Sequence, residues 1–216
     1  AGLLGRKPGV EVESVAGTQH YTFAMSTNKD PFTDNNVRQA LKYAINREEM
    51  VEKILFGYGS VGNDHPIGEG QRFHNGEMEQ KAYDPDKAKW YLKEAGLDSL
   101  SVTLHTSDAA FSGAVDAGVL FQNSAKEAGI DLKVNRAPKD GYWSDVWMKE
   151  PFTAVYWGGR PVEDQMFATA YQCGASWNDS FWCNDRFDEL LVKARAELDE
   201  DKRREMYYEM QDLVGN

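Results

Sequence analysis

Residues 101–134, SVTLHTSDAAFSGAVDAGVLFQNSAKEAGIDLKV, decide the fold class. Val102 and Leu104 alternate along 101–106 as the inward positions of a strand do. A helix is predicted over roughly 114–128, stopping at Gly129, and Ile130, Leu132 and Val134 then share one face of a second strand. Strand, crossover helix and strand in this order predict an α/β domain whose sheet is at least partly parallel.

The flanking sequence extends the alternation. Residues 21–26 read as a short strand, after which Thr33 or Asp34 caps a helix with Val37, Ala40, Leu41, Ala44 and Ile45 on its apolar face. Asn46 can cap a second helix, with Glu49 three positions on and Met50, Val51, Ile54 and Leu55 as its inner face. Residues 57–76 hold six glycines, Pro66 and two histidines, which predicts a long loop of the kind that is functional or disordered. Asp84-Pro85 opens a third helix that ends at Gly96. Beyond 134 the pattern predicts a short helix near 142–148, a strand over 152–157 and two closing amphipathic helices. Asp199, Glu200 and Asp201 cap the last of these.

The composition excludes several classes. A net charge of −11 on 216 residues is the wrong sign for a phosphate-binding face, so no nucleic-acid partner is expected, and attachment to an anionic membrane is equally disfavoured. No apolar run approaches the roughly 20 residues that span a bilayer. The opening AGLLGRKPGV lacks a positive segment followed by an apolar one, so no signal peptide is expected within it.

Catalytic signatures are scarce: the sequence has no GxSxG, HExxH, P-loop or GxGxxG after a strand. His20, His65, His74 and His105 fall at no metal-ligand spacing, and no metal or cofactor is expected. An acid/base carboxylate pair of the glycosidase kind is not singled out by anything in the chain. Cys173 and Cys183, in YQCGASWNDSFWC, read either as a local disulfide or as two buried thiols. What stands out is an aromatic concentration: five of the six tryptophans, Trp143, Trp147, Trp157, Trp177 and Trp182, fall between Tyr142 and Trp182. Flat apolar area with a polar edge suits a ligand pocket. Part of the set is expected to pack a core instead, Trp147 and Trp182 first.

Four segments together resemble a known family. PFTDNNVRQALKYAINREEMVEKILFGYG (31–59), YDPDKAKWYLKEAG (83–96), FQNSAKEAGIDLKV (121–134) and FDELLVKARAELDEDKRREMYYEMQDLV (187–214) resemble, in order, segments of the family 5 extracytoplasmic solute-binding proteins of ABC importers, the dipeptide- and oligopeptide-binding group. The resemblance implies one lobe of a two-lobe periplasmic-binding-protein-like fold, a mixed sheet flanked by helices. Residues 1–20 would be the inter-lobe crossover and 21–216 the carboxy-terminal ligand-binding lobe, a fragment of a longer chain. It further implies a periplasmic or extracytoplasmic location and a Cys173–Cys183 disulfide. The expected function is non-enzymatic: a small solute (a peptide, an opine or an organic acid) is captured by hinge closure and delivered to permease subunits by a monomeric protein. The alternatives are a glycoside-hydrolase-like enzyme and a sensory or chaperone module on the same fold.

One position departs from the family pattern. Peptide-binding members carry an acidic residue shortly after a Gly-Trp strand end, where it holds the ligand's ammonium. Here Trp157-Gly158-Gly159 is followed by Arg160. A guanidinium there suits a carboxylate or phosphate, which predicts an anionic ligand group. Alternatively Arg160 pairs with Glu163 or Asp164, or faces the other lobe, leaving Asp164 to bind a cation. Trp157 as a stacking wall, Tyr142, Trp177, Asn178 and His65 complete the expected pocket.

Overall fold

Four strands form one mixed sheet in the order β1-β4-β2-β3, in a computed structural model that describes residues 4–15 and 17–216. They are β1 (His20–Met25), β2 (Leu100–Thr106), β3 (Ile130–Arg136) and β4 (Phe152–Trp157). β2 and β3 run parallel, from Leu100 opposite Ile130 to Thr106 opposite Arg136, and α4 (Ala114–Glu127) is the crossover between them. The predicted strand–helix–strand unit is therefore present. β4 enters on the other side of β2, parallel to it where His105 faces Thr153. β1 closes that edge antiparallel to β4, from His20 opposite Trp157 to Met25 opposite Phe152. Five of the six β4 residues are buried, the pattern of a strand covered on both faces.

The helices form where their caps predict. Asp34, rather than Thr33, caps α1 (Asn35–Ala44), its carboxylate accepting from Asn36 N at 2.8 Å. Asp84 caps α3 (Pro85–Glu94) by accepting from Lys87 N. Val37, Ala40, Leu41 and Ala44 of α1, Ala88 and Leu92 of α3, and Phe121 and Ala125 of α4 close over Leu104, Ile130, Leu132 and Phe152 of the sheet.

α2 (Arg47–Lys53) departs from expectation. Asn46 caps it, accepting from Glu49 N at 3.1 Å, yet none of its residues is buried. Met50, Val51, Ile54 and Leu55 are half-exposed and line an open groove, with Met50 and Ile54 also packed against the edge of the core.

A second core lies under the closing helices, α6 (Asp185–Ala196) and α7 (Glu200–Gly215), the latter capped by Asp199. Phe187, Leu190, Leu191, Tyr207 and Met210 meet Phe167 of α5 (Glu163–Ala170), a helix that the residue pattern did not suggest. Met166, Phe167 and Ala170 are its buried apolar residues, too short a run to announce a helix. The predicted long loop is ordered by the same core. Ile67 and Phe73 insert into it. Phe73 N donates to the buried Glu163 carboxylate at 2.8 Å, and the Gln211 amide accepts from Asn75 N and donates to the Phe73 carbonyl at 2.7 Å. Side chains of α5 and α7 thus satisfy loop backbone groups that no strand pairs.

Candidate functional site

A groove of about 1000 Å³ opens along one side of the molecule. β1 supplies His20, Tyr21 and Phe23, α2 supplies its partly covered apolar face, and the long loop supplies His65, Ile67 and His74. Trp157 at the end of β4 and Tyr171, Asp179 and Trp182 from the loop after α5 form the remaining wall. The lining mixes apolar and aromatic side chains with polar and charged ones, Arg38, Lys42, Arg47, Asp64 and Glu69 among them.

The expected site residues divide into two groups. Trp157 and His65 both line the groove. His65 lies beside His74, with ring centroids 5.9 Å apart, and burial, then His74, pushes its pKa down to about 4, so it is neutral at pH 7. Trp177 is half-exposed and packs with Trp147 and Trp157, each pair of ring centroids 6.4 Å apart.

The others serve the scaffold. Tyr142 belongs to a single wide helical turn (Tyr142–Val146) and is buried. Its hydroxyl donates to the Ala154 carbonyl at 2.7 Å and lies 3.2 Å from that of His105, joining β4 to β2 where the two strands barely pair. The Asn178 amide reaches the carbonyls of Tyr171, Gln172 and Trp182, shaping the loop from within. Asp164 holds Arg195 at 2.6 Å and ties α5 to α6. Arg160 pairs with neither Glu163 nor Asp164: its Nη1 donates to the Gly158 carbonyl at 2.8 Å, at the turn where Gly159 lies so close to Thr18 that a Cβ would collide with it.

Two groove residues went unrecognised in the sequence. His20 faces the groove opposite Trp157 in the sheet register, and its Nε2 is buried without a partner among the described residues. Asp179 is one of 35 acidic residues and carried no motif. Its carboxylate is only 8% exposed and accepts from the Trp147 indole N–H at 3.1 Å. The core expectation for Trp182 is met on one side, its ring lying edge-on to Phe187 at 5.2 Å.

Cys173 and Cys183 are joined as a disulfide that brackets Trp177, Asn178 and Asp179. Closing a loop with a sequence separation of 10 restricts the unfolded chain. Replacing both cysteines by serine is expected to cost roughly 2–3 kcal/mol, a fall of about 4–12 °C in melting temperature by calorimetry. A shift below about 1 °C would show that the bridge adds nothing to stability.

Among the described residues no helix is long and apolar enough to cross a membrane, and no three metal-ligating side chains converge. The model of the bacterial extracellular solute-binding proteins, family 5 (middle region), matches residues 2–179. The dipeptide-binding protein of Escherichia coli (strain K12) is 31% identical over 201 residues, covering 86% of this chain and 36% of the relative. Di/tripeptide-binding protein 1 of Pseudomonas aeruginosa is 26% identical, covering 98% and 41%. Among solved structures, HbpA2 from Haemophilus parasuis superposes with a TM-score of 0.88 at 19% identity, over 99% of this chain and 44% of that one. DppA from Helicobacter pylori in complex with the peptide STSA superposes with a TM-score of 0.82 at 23% identity, over 99% and 43%. The chain therefore spans less than half the length of the relatives it matches. These relatives are named for what they bind, and none for a reaction.

Proposed function

Because the chain belongs to the bacterial extracellular solute-binding proteins of family 5, we propose that it is the carboxy-terminal gripping lobe of a two-lobe, substrate-binding component of an ABC importer. Residues 21–216 form the lobe. Residues 1–20, of which 1–3 and 16 lie outside the described residues, are the crossover from the other lobe. The protein works outside the cytoplasm as a monomer, closes on a peptide-like or carboxylate-bearing solute, and passes it to permease subunits.

The uncovered groove carries this reading. An amphipathic helix buries its apolar face against something, yet Met50, Val51, Ile54 and Leu55 are only partly covered, by core contacts at Met50 and Ile54, and border the groove. A solute and a second lobe closing over it would cover that face. Ligand contacts made by both lobes then shift the population towards the closed form.

Arg160 stands outside the groove lining of this lobe, at its edge by sequence, and is the residue on which the carboxylate-bearing class of solute rests. It forms no ion pair among the described residues, and its turn packs on the crossover at Thr18, beside the strand end that bears Trp157. The two-lobe protein should be screened by thermal shift against peptides, opines and organic acids, because a bound solute stabilises the native state by mass action. A hit with a carboxylate is expected, and small-angle scattering should show the two lobes closing on it. Arg160→Ala should weaken that hit by well over ~10-fold, which is about 1.4 kcal/mol or more. Unchanged affinity would remove Arg160 from the site. A protein that neither shifts nor closes with any solute would defeat the transport reading.

A further inference from the structure

The geometry points to a cation subsite at Asp179, which takes a primary alkylammonium group of the solute against the aromatic wall of the groove. This rests on the groove being the solute site.

Among the described residues, Asp179 is the well-buried aspartate on the groove wall that has no ion-pair partner. Asp64, also at the groove, holds Arg47 at 2.6 Å. Glu163, buried away from it, accepts a backbone N–H. Asp179 forms no ion pair among the described residues. Its hydrogen-bond donor is neutral, the Trp147 indole at 3.1 Å. Burial raises its pKa to about 6, and hydrogen bonding only partly offsets the rise. An ionised carboxylate has about four lone-pair positions, so room for an N–H donor remains.

The surroundings suit an organic cation better than a metal ion. Trp157, Tyr171 and Trp182 share the groove wall with Asp179, and Trp177 packs on Trp157. Indole and phenol faces attract an ammonium, and their apolar area receives the alkyl chain that carries it. No three metal-ligating side chains converge among the described residues. The titratable groups lining the groove are the Tyr171 phenol, kept protonated by burial and then by Asp179, the imidazoles of His20, His65 and His74, the phenols of Tyr21 and Tyr58, the carboxyl groups of Asp64 and Glu69, and the basic side chains of Arg38, Lys42 and Arg47. Burial holds the pKa values of His20 and His65 below the ordinary value, so neither supplies a competing cation near pH 7.

n-Butylammonium chloride is the probe and butan-1-ol its neutral counterpart, each titrated into the full two-lobe protein at pH 7.5. Tryptophan fluorescence and ligand-observed NMR provide the readouts. Saturable butylammonium binding at least ~10-fold tighter than that of the alcohol is expected, a difference worth one decade of affinity. Asp179→Asn, which keeps the shape and the acceptor for Trp147, should erase that preference. The preference should also fade as the pH falls below about 6, because the carboxyl then takes up a proton. Equal binding of amine and alcohol by the unsubstituted protein would overturn the subsite whether or not the variant folds, as would a folded Asp179→Asn variant that keeps the preference. Either failure differs from that of the transport reading, since closure on a carboxylate solute is scored separately by scattering and does not require butylammonium.

Discussion

On the proposed two-lobe reading, these 216 residues alone should bind a solute at least ~100-fold more weakly than the full protein. In a hinge-closing protein both lobes contact the ligand, and neither half offers the whole set of contacts. A micromolar site corresponds to about −8 kcal/mol, and half of that is about −4 kcal/mol, or millimolar. The groove, walled in part by Trp157, Tyr171 and Asp179, leaves room for contacts from a second lobe. Calorimetric titration of both proteins with the best solute from the thermal-shift screen measures the difference. Micromolar binding by the lobe alone would mean that the groove is a complete site, and hinge capture would have to be abandoned.

Phe167→Ala should destabilise the protein by about 3–5 kcal/mol, in the range found for deleting a buried aromatic ring. Phe167 is fully buried at the centre of the second core. Its ring is edge-on to Phe187 at 5.2 Å and to Tyr171 at 6.1 Å, and stacks with Tyr207 at 6.2 Å. Three elements lean on it: the long loop through Phe73 and Ile67, α6 through Phe187, and α7 through Tyr207. The cavity cannot close cheaply, because Glu163 on the same helix is bonded to the loop backbone and Asp164 to Arg195. Urea unfolding followed by far-UV circular dichroism gives the value, and a loss below about 1 kcal/mol would show that the second core repacks freely. Solute affinity should fall as well, since Tyr171 and Asp179 follow α5 directly.

Much of the fold could be read from local signals. Alternation at Val102 and Leu104, the stop at Gly129 and the Asp84-Pro85 cap each act over a few residues, and each element formed within a residue or two of its expected bounds. α5 escaped because eight residues with three apolar positions give too little periodicity. The inner face of α2 was legible as apolar, but the pattern could not say that it would meet a groove.

The site was legible by residue type more than by role. Aromatic density between Tyr142 and Trp182 marked the right region, and Trp157, His65 and Trp177 lie at or beside the groove. Tyr142, Asn178 and Asp164 are equally polar or aromatic, but backbone carbonyls and Arg195 engage them. Nothing near them in the chain announces those partners.

By itself, then, the sequence determined the strand–helix–strand unit, the helix caps and the family, because propensity, capping and periodicity act between neighbours along the chain. Tertiary structure alone decided that β4 inserts between β1 and β2, and that Tyr142 bonds across them. It alone also decided that Asp179 is buried beside the Trp147 indole and forms no ion pair among the described residues. Strand order and desolvation depend on contacts between distant parts of the chain, and the charge environment of Asp179 exists only once Trp147, Trp157 and Tyr171 have packed around it.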